Sequence, residues 1–260
     1  MKEINSKSNQ SYKLFQKLNT RKYREQSGLY LIEGENLIEE AFRNGACIDS
    51  LIVRSDCTDK ADKMQLDSGK AFIMEKKLFD SLSQTETSQG VMAAVKMQCL
   101  SLKDLQECEL SGNFVVLDRL QDPGNIGTII RTADAAGYSL VIAMKGTADI
   151  FSPKTVRAAA GSLFRMKIAF ANTEEELVRF IKAAGKKLAA ACLTGSRNYY
   201  DEDLSRDIAL IVGNEGNGVA ESLIEKAELK IRIPMSGNIE SLNVSVAAAL
   251  IMYEAVRKTR

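Results

Sequence analysis

Residues 113–143 read NFVVLDRLQDPGNIGTIIRTADAAGYSLVIA. Phe114–Leu117 is an unbroken apolar run, as expected for a strand buried on both faces rather than one. Asp122-Pro123-Gly124-Asn125 stops it with turn chemistry. A helix is expected around Ile126–Ala136, and SLVIA reads as the next strand. Strand, helix and strand at this spacing form a βαβ unit, which implies a parallel sheet covered on both faces.

Working outward, the alternation continues to the end of the chain. A helix is expected after Pro153, then strand RMKIAF, helix TEEELVRFIKAAG, and strands KLAAACL and DIALIVG. A short helix VAESLIEKA, strand LKIRIP and a final helix from about Ser241 complete the pattern. Upstream, Gly28 opens a second α/β stretch. LYLIE and SLIVR read as strands around the helix ENLIEEAFRNG, followed by a polar, helical stretch, then KAFIM, KKLFDSL and GVMAAVKM. Between the two, CLSLKDLQECELSGN loses periodicity and ends in Ser-Gly-Asn. The expected organisation is a basic arm over 1–24, a small α/β domain over 25–100, a linker over 101–112 and an α/β domain over 113–260.

Composition narrows the chemistry. Apolar residues make up 45% and charged residues 27% of the 260, ordinary globular values that argue against disorder. Thirty-five Lys and Arg against 34 Asp and Glu leave a net charge of +1, which gives no global sign of a polyanionic partner. The chain has no His, which excludes Ser-His-Asp triads, Cys-His dyads and HExxH zinc sites. Five irregularly spaced cysteines without a CxxC pair fit free thiols in a reducing cytosol, and no metal site is expected. The first residues, MKEINSKSNQSYKLF, lack a signal-peptide apolar core, and no run approaches the length of a membrane span. The expected location is the cytoplasm.

The even charge balance conceals a local excess. Residues 1–24 carry Lys2, Lys7, Lys13, Lys17, Arg21, Lys22 and Arg24 against the single acid Glu3, a surplus of +6. Tyr12, Phe15 and Tyr23 are interleaved with them. Bases offer phosphate contacts and rings offer stacking surfaces, so Lys17, Arg21, Lys22 and Arg24 are candidate RNA contacts. A solvated helical arm explains the same residues equally well.

Ligands of open α/β sheets bind beyond the carboxyl ends of the strands, and three such ends are unusual here. Asp118–Gly137 carries Asn125, Gly127 and Arg131 near a helix start. LIVGNEGNGV packs three glycines around Glu215. It matches neither the dinucleotide nor the P-loop fingerprint, so its glycines read as space for backbone to face a ligand. IRIPMSGNIESLNVSVAAA leads into a helix that looks apolar on all sides and therefore buried, with Asn243 as a buried polar group requiring partners.

In this order, the three loops resemble the sequence motifs of the SpoU/TrmH family of RNA ribose 2′-O-methyltransferases, in the SPOUT superfamily. NxGxxxR is matched by Asn125, Gly127 and Arg131; GxEGxG by Gly213, Glu215, Gly216 and Gly218; IPMxGxxxSLNVSVA from Ile233 to Ala247. RKYREQSGLYLIEGENLIEEA is similar to the substrate-binding domain found before the catalytic domain in many members. The resemblance implies a C-terminal domain with a deep trefoil knot, a homodimer whose partner completes the site, and S-adenosylmethionine as cofactor. It implies cofactor contacts from Thr194, Gly195, Gly213, Glu215, Gly218, Ile233, Met235, Leu242 and Asn243, and catalytic roles for Arg131, Asn125, Glu215 and Asn243. It points to Arg131 where a histidine is absent, but guanidinium is effectively always protonated, so a general base is one role and electrostatic stabilisation of an alkoxide another. A front domain of this type favours ribosomal RNA over transfer RNA, with no DNA or membrane partner. The alternatives are a tRNA methyltransferase, a noncatalytic RNA-binding protein on the same fold and a small-molecule nucleotide enzyme.

Overall fold

The computed structural model describes residues 1–60, 70–85, 87–105, 110–193 and 195–259. Two compact units emerge. One comprises Met1–Met97 with Phe151–Phe164, and the other Gln98–Ile150 with Arg165–Arg260.

The first unit is built on a five-stranded mixed sheet of β1 (Lys2–Ile4), β2 (Leu29–Glu33), β3 (Ile48–Arg54), β4 (Ala71–Met74) and β5 (Val91–Lys96), in the order β1-β4-β3-β5-β2. Helices α1 (Gln10–Lys17), α2 (Arg21–Ser27), α3 (Glu35–Arg43) and α4 (Lys76–Asp80) accompany it. The polar stretch expected to be helical lies largely outside the described residues. Phe151–Phe164 contributes α7 (Pro153–Ala159) and places the Phe151 ring 5.0 Å from that of Tyr30.

Residues 1–24, expected to be an arm, are built into this unit. Asn9 caps α1 by accepting from the Ser11 and Tyr12 N–H groups. The helix thereby directs Tyr12 and Phe15 inward, and with Leu18 and Ile4 they are fully buried in the core. These two rings are not stacking surfaces; of the three aromatics only Tyr23 is exposed. The expectation for Arg24 is also corrected. It is 4% exposed, and its Nη1 donates to the Leu18 carbonyl at 2.6 Å, satisfying backbone at the turn between α1 and α2. A guanidinium used in this way faces the protein, not RNA.

The second unit is an eight-stranded sheet with every pair parallel, in the order β11-β13-β10-β12-β7-β8-β9-β6. Its strands are β6 (Leu100–Ser101), β7 (Phe114–Asp118), β8 (Leu140–Met144), β9 (Lys167–Ala171), β10 (Lys187–Ala191), β11 (Arg197–Asn198), β12 (Ile208–Gly213) and β13 (Leu229–Arg232). Strands β7, β8 and β12 are buried along their whole length, which is why they read as continuous apolar runs. Helices α5 (Leu102–Leu105), α6 (Pro123–Ala135), α8 (Glu174–Ala183), α9 (Glu221–Lys226) and α10 (Val244–Thr259) complete the unit.

Part of the expected linker belongs to this sheet. Leu100 and Ser101 pair with β9, and Leu102 and Leu105 enter the core. The local signal is a capping box: Ser101 Oγ accepts from the Asp104 N–H at 3.1 Å, and Asp104 Oδ2 accepts from the Ser101 N–H at 3.2 Å.

Strand order decides where a site can form. From β7 the sheet runs one way through β8 and β9, and the other way through β12 and β10. The order therefore reverses between β7 and β12, whose last residues Asp118 and Gly213 are register partners. Such a switch point opens a crevice at the carboxyl ends of the strands.

Candidate active site

Two of the three unusual loops leave the sheet at this switch point. Asp122 caps α6, its Oδ1 accepting from the Asn125 N–H at 2.9 Å, with Pro123 in the first helical position. Glu215 reaches across from the loop after β12. Its Oε2 accepts from the Gln121 N–H at 3.0 Å, and its Oε1 from the Asp122 N–H at 3.1 Å and from Asn125 Nδ2 at 3.2 Å.

The third loop joins through Asn243, whose Nδ2 donates to Asn125 Oδ1 at 3.0 Å. Asn243 Oδ1 then accepts from the Ser245 N–H at 2.9 Å and the Ser245 hydroxyl at 2.6 Å, opening α10. This chain fixes both amides without ambiguity. An ionised carboxylate can only accept, so Asn125 must present its Nδ2 to Glu215 and its Oδ1 to Asn243. The sense of the chain therefore follows from the charge on Glu215. Asn243 has the partners expected of it, but it is exposed rather than buried.

Partial burial alone would raise the Glu215 carboxyl. Hydrogen bonds from Gln121, its own backbone, Asp122 and Asn125 outweigh it and hold the group below its ordinary value of 4.5. A depressed carboxylate contributes its stabilisation above its unfolded-state value and loses it as pH falls through the folded-state value. Cofactor affinity measured by calorimetry should accordingly be flat from neutral pH down past 4.5, and fall only in more acid solution. A titration midpoint at or above 4.5 would mean that this hydrogen-bond set does not form.

Three residues not singled out from the sequence support the site. Asn214 Oδ1 accepts from the Gly216 and Asn217 N–H groups at 3.0 and 3.1 Å, and its Nδ2 donates to the Arg119 carbonyl at 2.9 Å. Gln121 Nε2 donates to the carbonyls of Arg119 and Gly146 at 2.9 and 2.8 Å. Buried Asp118 pairs with Arg119 at 2.8 Å and accepts from the Ala220 N–H at 2.8 Å. Asparagine ahead of a glycine-rich turn is an Asx-turn signal, and only that one was available locally.

The candidate cofactor residues lie on adjacent strand ends. Because β10 lies between β12 and β13 and parallel to both, the segments after Ala191, Gly213 and Arg232 leave the carboxyl end of the sheet side by side. Gly213 is buried, and a Cβ there would lie 2.1 Å from the Gly218 carbonyl carbon. Gly218 and Gly195 adopt positive φ, 68° and 65°. Ile233, Met235 and Leu242 are half-buried. Between Ile233 and Leu242 the backbone makes no hydrogen bond among the described residues, which leaves its donors and acceptors for a ligand or solvent. Thr194 lies outside the described residues. Glycine-cleared, half-apolar loops with free backbone groups fit a nucleoside-containing cofactor.

Arg131 sits on α6, exposed, with no hydrogen bond or ion pair among the described residues. Lys17, Arg21 and Lys22 are exposed on α1 and α2. Arg21 is paired with Glu25 at 2.7 Å, and the Lys17 ammonium lies 5.0 Å from the Tyr23 ring centre. Among the described residues Cys47, Cys57, Cys99 and Cys192 form no disulfide, while Cys108 lies outside them.

The pattern of the SpoU rRNA methylase family matches residues 112–253, taking in all three loops. The chain belongs to this family. Residues 9–93 match the MRM3-like substrate binding domain, and that match includes α1 and α2. Among curated relatives, the 23S rRNA (guanosine(2553)-2′-O)-methyltransferase RlmP of Bacillus subtilis is 38% identical over 97% of this chain and 98% of its own. Among solved structures, the AdoMet-bound rRNA methyltransferase of Sinorhizobium meliloti is 35% identical, with a TM-score of 0.89 over 100% of this chain and 98% of its own. The SpoU methyltransferase AviRb of Streptomyces viridochromogenes, in complex with AdoMet, is 29% identical with a TM-score of 0.87 over 96% and 98%. As a SpoU methylase, this protein is an S-adenosylmethionine-dependent RNA methyltransferase.

Proposed function

We propose that this SpoU methylase methylates a ribose 2′-hydroxyl in large-subunit ribosomal RNA, acting in the cytoplasm as a homodimer. The observation that carries the reading is the hydrogen-bonded chain from Glu215 through Asn125 to Asn243, which ties three loops together on the helix that carries Arg131. Similarity to RlmP along nearly the whole chain supports ribosomal RNA as the substrate.

When bound, S-adenosylmethionine supplies a methyl group on a sulfonium centre. Gly195, Gly213, Gly218, Ile233, Met235 and Leu242 would hold it through loop backbone and half-buried apolar surface. The Glu215–Asn125–Asn243 chain fixes the loops so that positioning, rather than side-chain nucleophilicity, lowers the barrier. Arg131 orients the ribose and stabilises negative charge as it develops on the 2′-oxygen. A permanently charged guanidinium suits that task and is ill suited to removing a proton, which passes to water or phosphate.

The final helix supports the dimer. Contrary to the expectation of a helix buried all round, Val246, Leu250 and Tyr253 are 48%, 40% and 50% exposed, at spacings of four and three. With Thr128 of α6, they line a 380 Å³ hollow one helical turn from Arg131. A second copy seated on this stripe would close the site around Arg131. Leu250→Glu should yield monomers by analytical ultracentrifugation, with circular dichroism unchanged and methyl transfer lost. A variant that remains dimeric would refute the interface. Packing of α10 against α6 and β12 also fits the trefoil knot of the family.

Lys17 and Lys22 would contribute RNA contacts. Because Tyr12 and Phe15 belong to the core, charge reversal at these lysines tests the role where deletion of 1–24 would unfold the unit. The whole reading is tested by mapping 2′-O-methylation by mass spectrometry on a 23S rRNA transcript incubated with protein and cofactor. One new methylated ribose is expected; methylation of a base, or of tRNA alone, would overturn it.

A further inference from the structure

A cavity of 330 Å³ opens in the first unit, outside the residues assigned to methyl transfer. Small-ligand sites begin at roughly this size, about 300 Å³. One wall is a stripe from the end of β2 along α3, including Glu33, Asn36 and Glu40. Thr87 and Gln89, ahead of β5, form the second wall, and Arg157 of α7 the third.

Hydrogen bonding within the cavity is lopsided. Both carboxylates of the lining are already engaged: Glu33 accepts from the Ser83 hydroxyl at 2.7 Å, the Thr85 hydroxyl at 2.9 Å and the Gln84 N–H at 3.2 Å, and Glu40 accepts from Arg43 Nη1 at 3.4 Å and Asn44 Nδ2 at 3.3 Å. Gln89 Oε1 accepts from the Glu35 N–H at 2.8 Å, which fixes the amide and leaves its Nε2 hydrogens unspent. Among the described residues neither that nitrogen, the Thr87 hydroxyl nor the exposed Arg157 guanidinium has a partner. The surplus is in donors, up to five from guanidinium and two from the amide. A cavity of this size with surplus donors and a guanidinium unpartnered among the described residues suits an anionic ligand rich in acceptors.

We propose that this cavity holds one unstacked nucleotide of the substrate RNA, distinct from the methylated one, with its phosphate on Arg157 and a base carbonyl on Gln89. The proposal rests on RNA being the substrate. Arginine grips phosphate through two parallel hydrogen bonds, and single-stranded RNA is read by splaying bases into such sites. Arg157 lies outside the segment matching the substrate-binding domain, so the compact unit recruits its cation from the stretch matching the methylase family.

Arg157 is exposed, so Arg157→Gln should fold normally. With an unmodified 23S rRNA transcript, it should raise KM and RNA Kd about tenfold at unchanged kcat and cofactor Kd, and reduce the salt slope of RNA binding by about one. Arg157→Lys should restore the salt slope but only part of the affinity, because it keeps the charge and loses the fork. Competition by nucleoside monophosphates but not by inorganic phosphate would assign the base contact to the same site. Wild-type affinity and salt slope in Arg157→Gln, or inhibition by inorganic phosphate alone, would overturn the proposal. Failure of the wild-type protein to bind the transcript would instead overturn the reading of the substrate.

Discussion

Arg131→Ala should lower kcat/KM for methyl transfer by roughly 10²–10³-fold while leaving cofactor affinity and folding unchanged, the range seen when one stabilising donor is removed at a developing oxyanion. The side chain is exposed and makes no bond to the protein among the described residues, so its removal leaves no buried group unsatisfied. Any loss must therefore come from the RNA or the transition state. Arg131→Lys separates the two roles. A lysine keeps the charge, loses the planar fork and gives up a proton more readily. Partial recovery is expected if Arg131 orients and stabilises; activity equal to wild type would identify a general base instead. Single-turnover rates and isothermal calorimetry on the same preparations distinguish these outcomes.

Gly213→Ala should abolish cofactor binding and destabilise the fold by about 3 kcal/mol, the upper end for forcing atoms into a packed site. The new Cβ would lie 2.1 Å from both the Gly218 carbonyl carbon and the Val219 nitrogen. Those atoms are backbone, held by paired hydrogen bonds between Asn214 and Gly218 at 3.0 and 2.8 Å, so no side-chain rotation relieves the overlap. Gly216→Ala is the control in the same loop. Its nearest neighbour would be Asn214 Oδ1 at 3.6 Å, an ordinary contact, and near-native stability is expected. Equal urea midpoints for the two variants would mean that the close approach at Gly213 does not exist.

The elements of the second unit were legible because each carries its own period. Apolar runs such as FVVLD and IALIVG mark strands covered on both faces, and the Asp-Pro-Gly-Asn turn marks where one ends. The errors lie where a local pattern has two tertiary outcomes. Tyr12, Phe15 and Arg24 look the same in sequence whether they meet RNA or the core; the two rings lie on the inner face of α1, capped at Asn9, and Arg24 turns inward to the Leu18 carbonyl. SLVIA and SLNVSVAAA are both apolar. The first is buried in the sheet, whereas the second leaves Val246 exposed, because one flank of α10 is covered by none of the described residues.

The sequence by itself determined the alternation of strands and helices, the three loops at strand ends, the exclusion of histidine chemistry and the family. Only the tertiary structure decided that the strand order reverses between β7 and β12, setting Asp118 beside Gly213. It also decided that Glu215, Asn125 and Asn243 bond across separations of 90 and 118 residues, and that Phe151–Phe164 joins the first unit. The physical reason is range. Helix and strand periods are set by neighbours a few residues away, whereas strand order and cross-loop bonds arise from burial and pairing between segments with no local signature of each other.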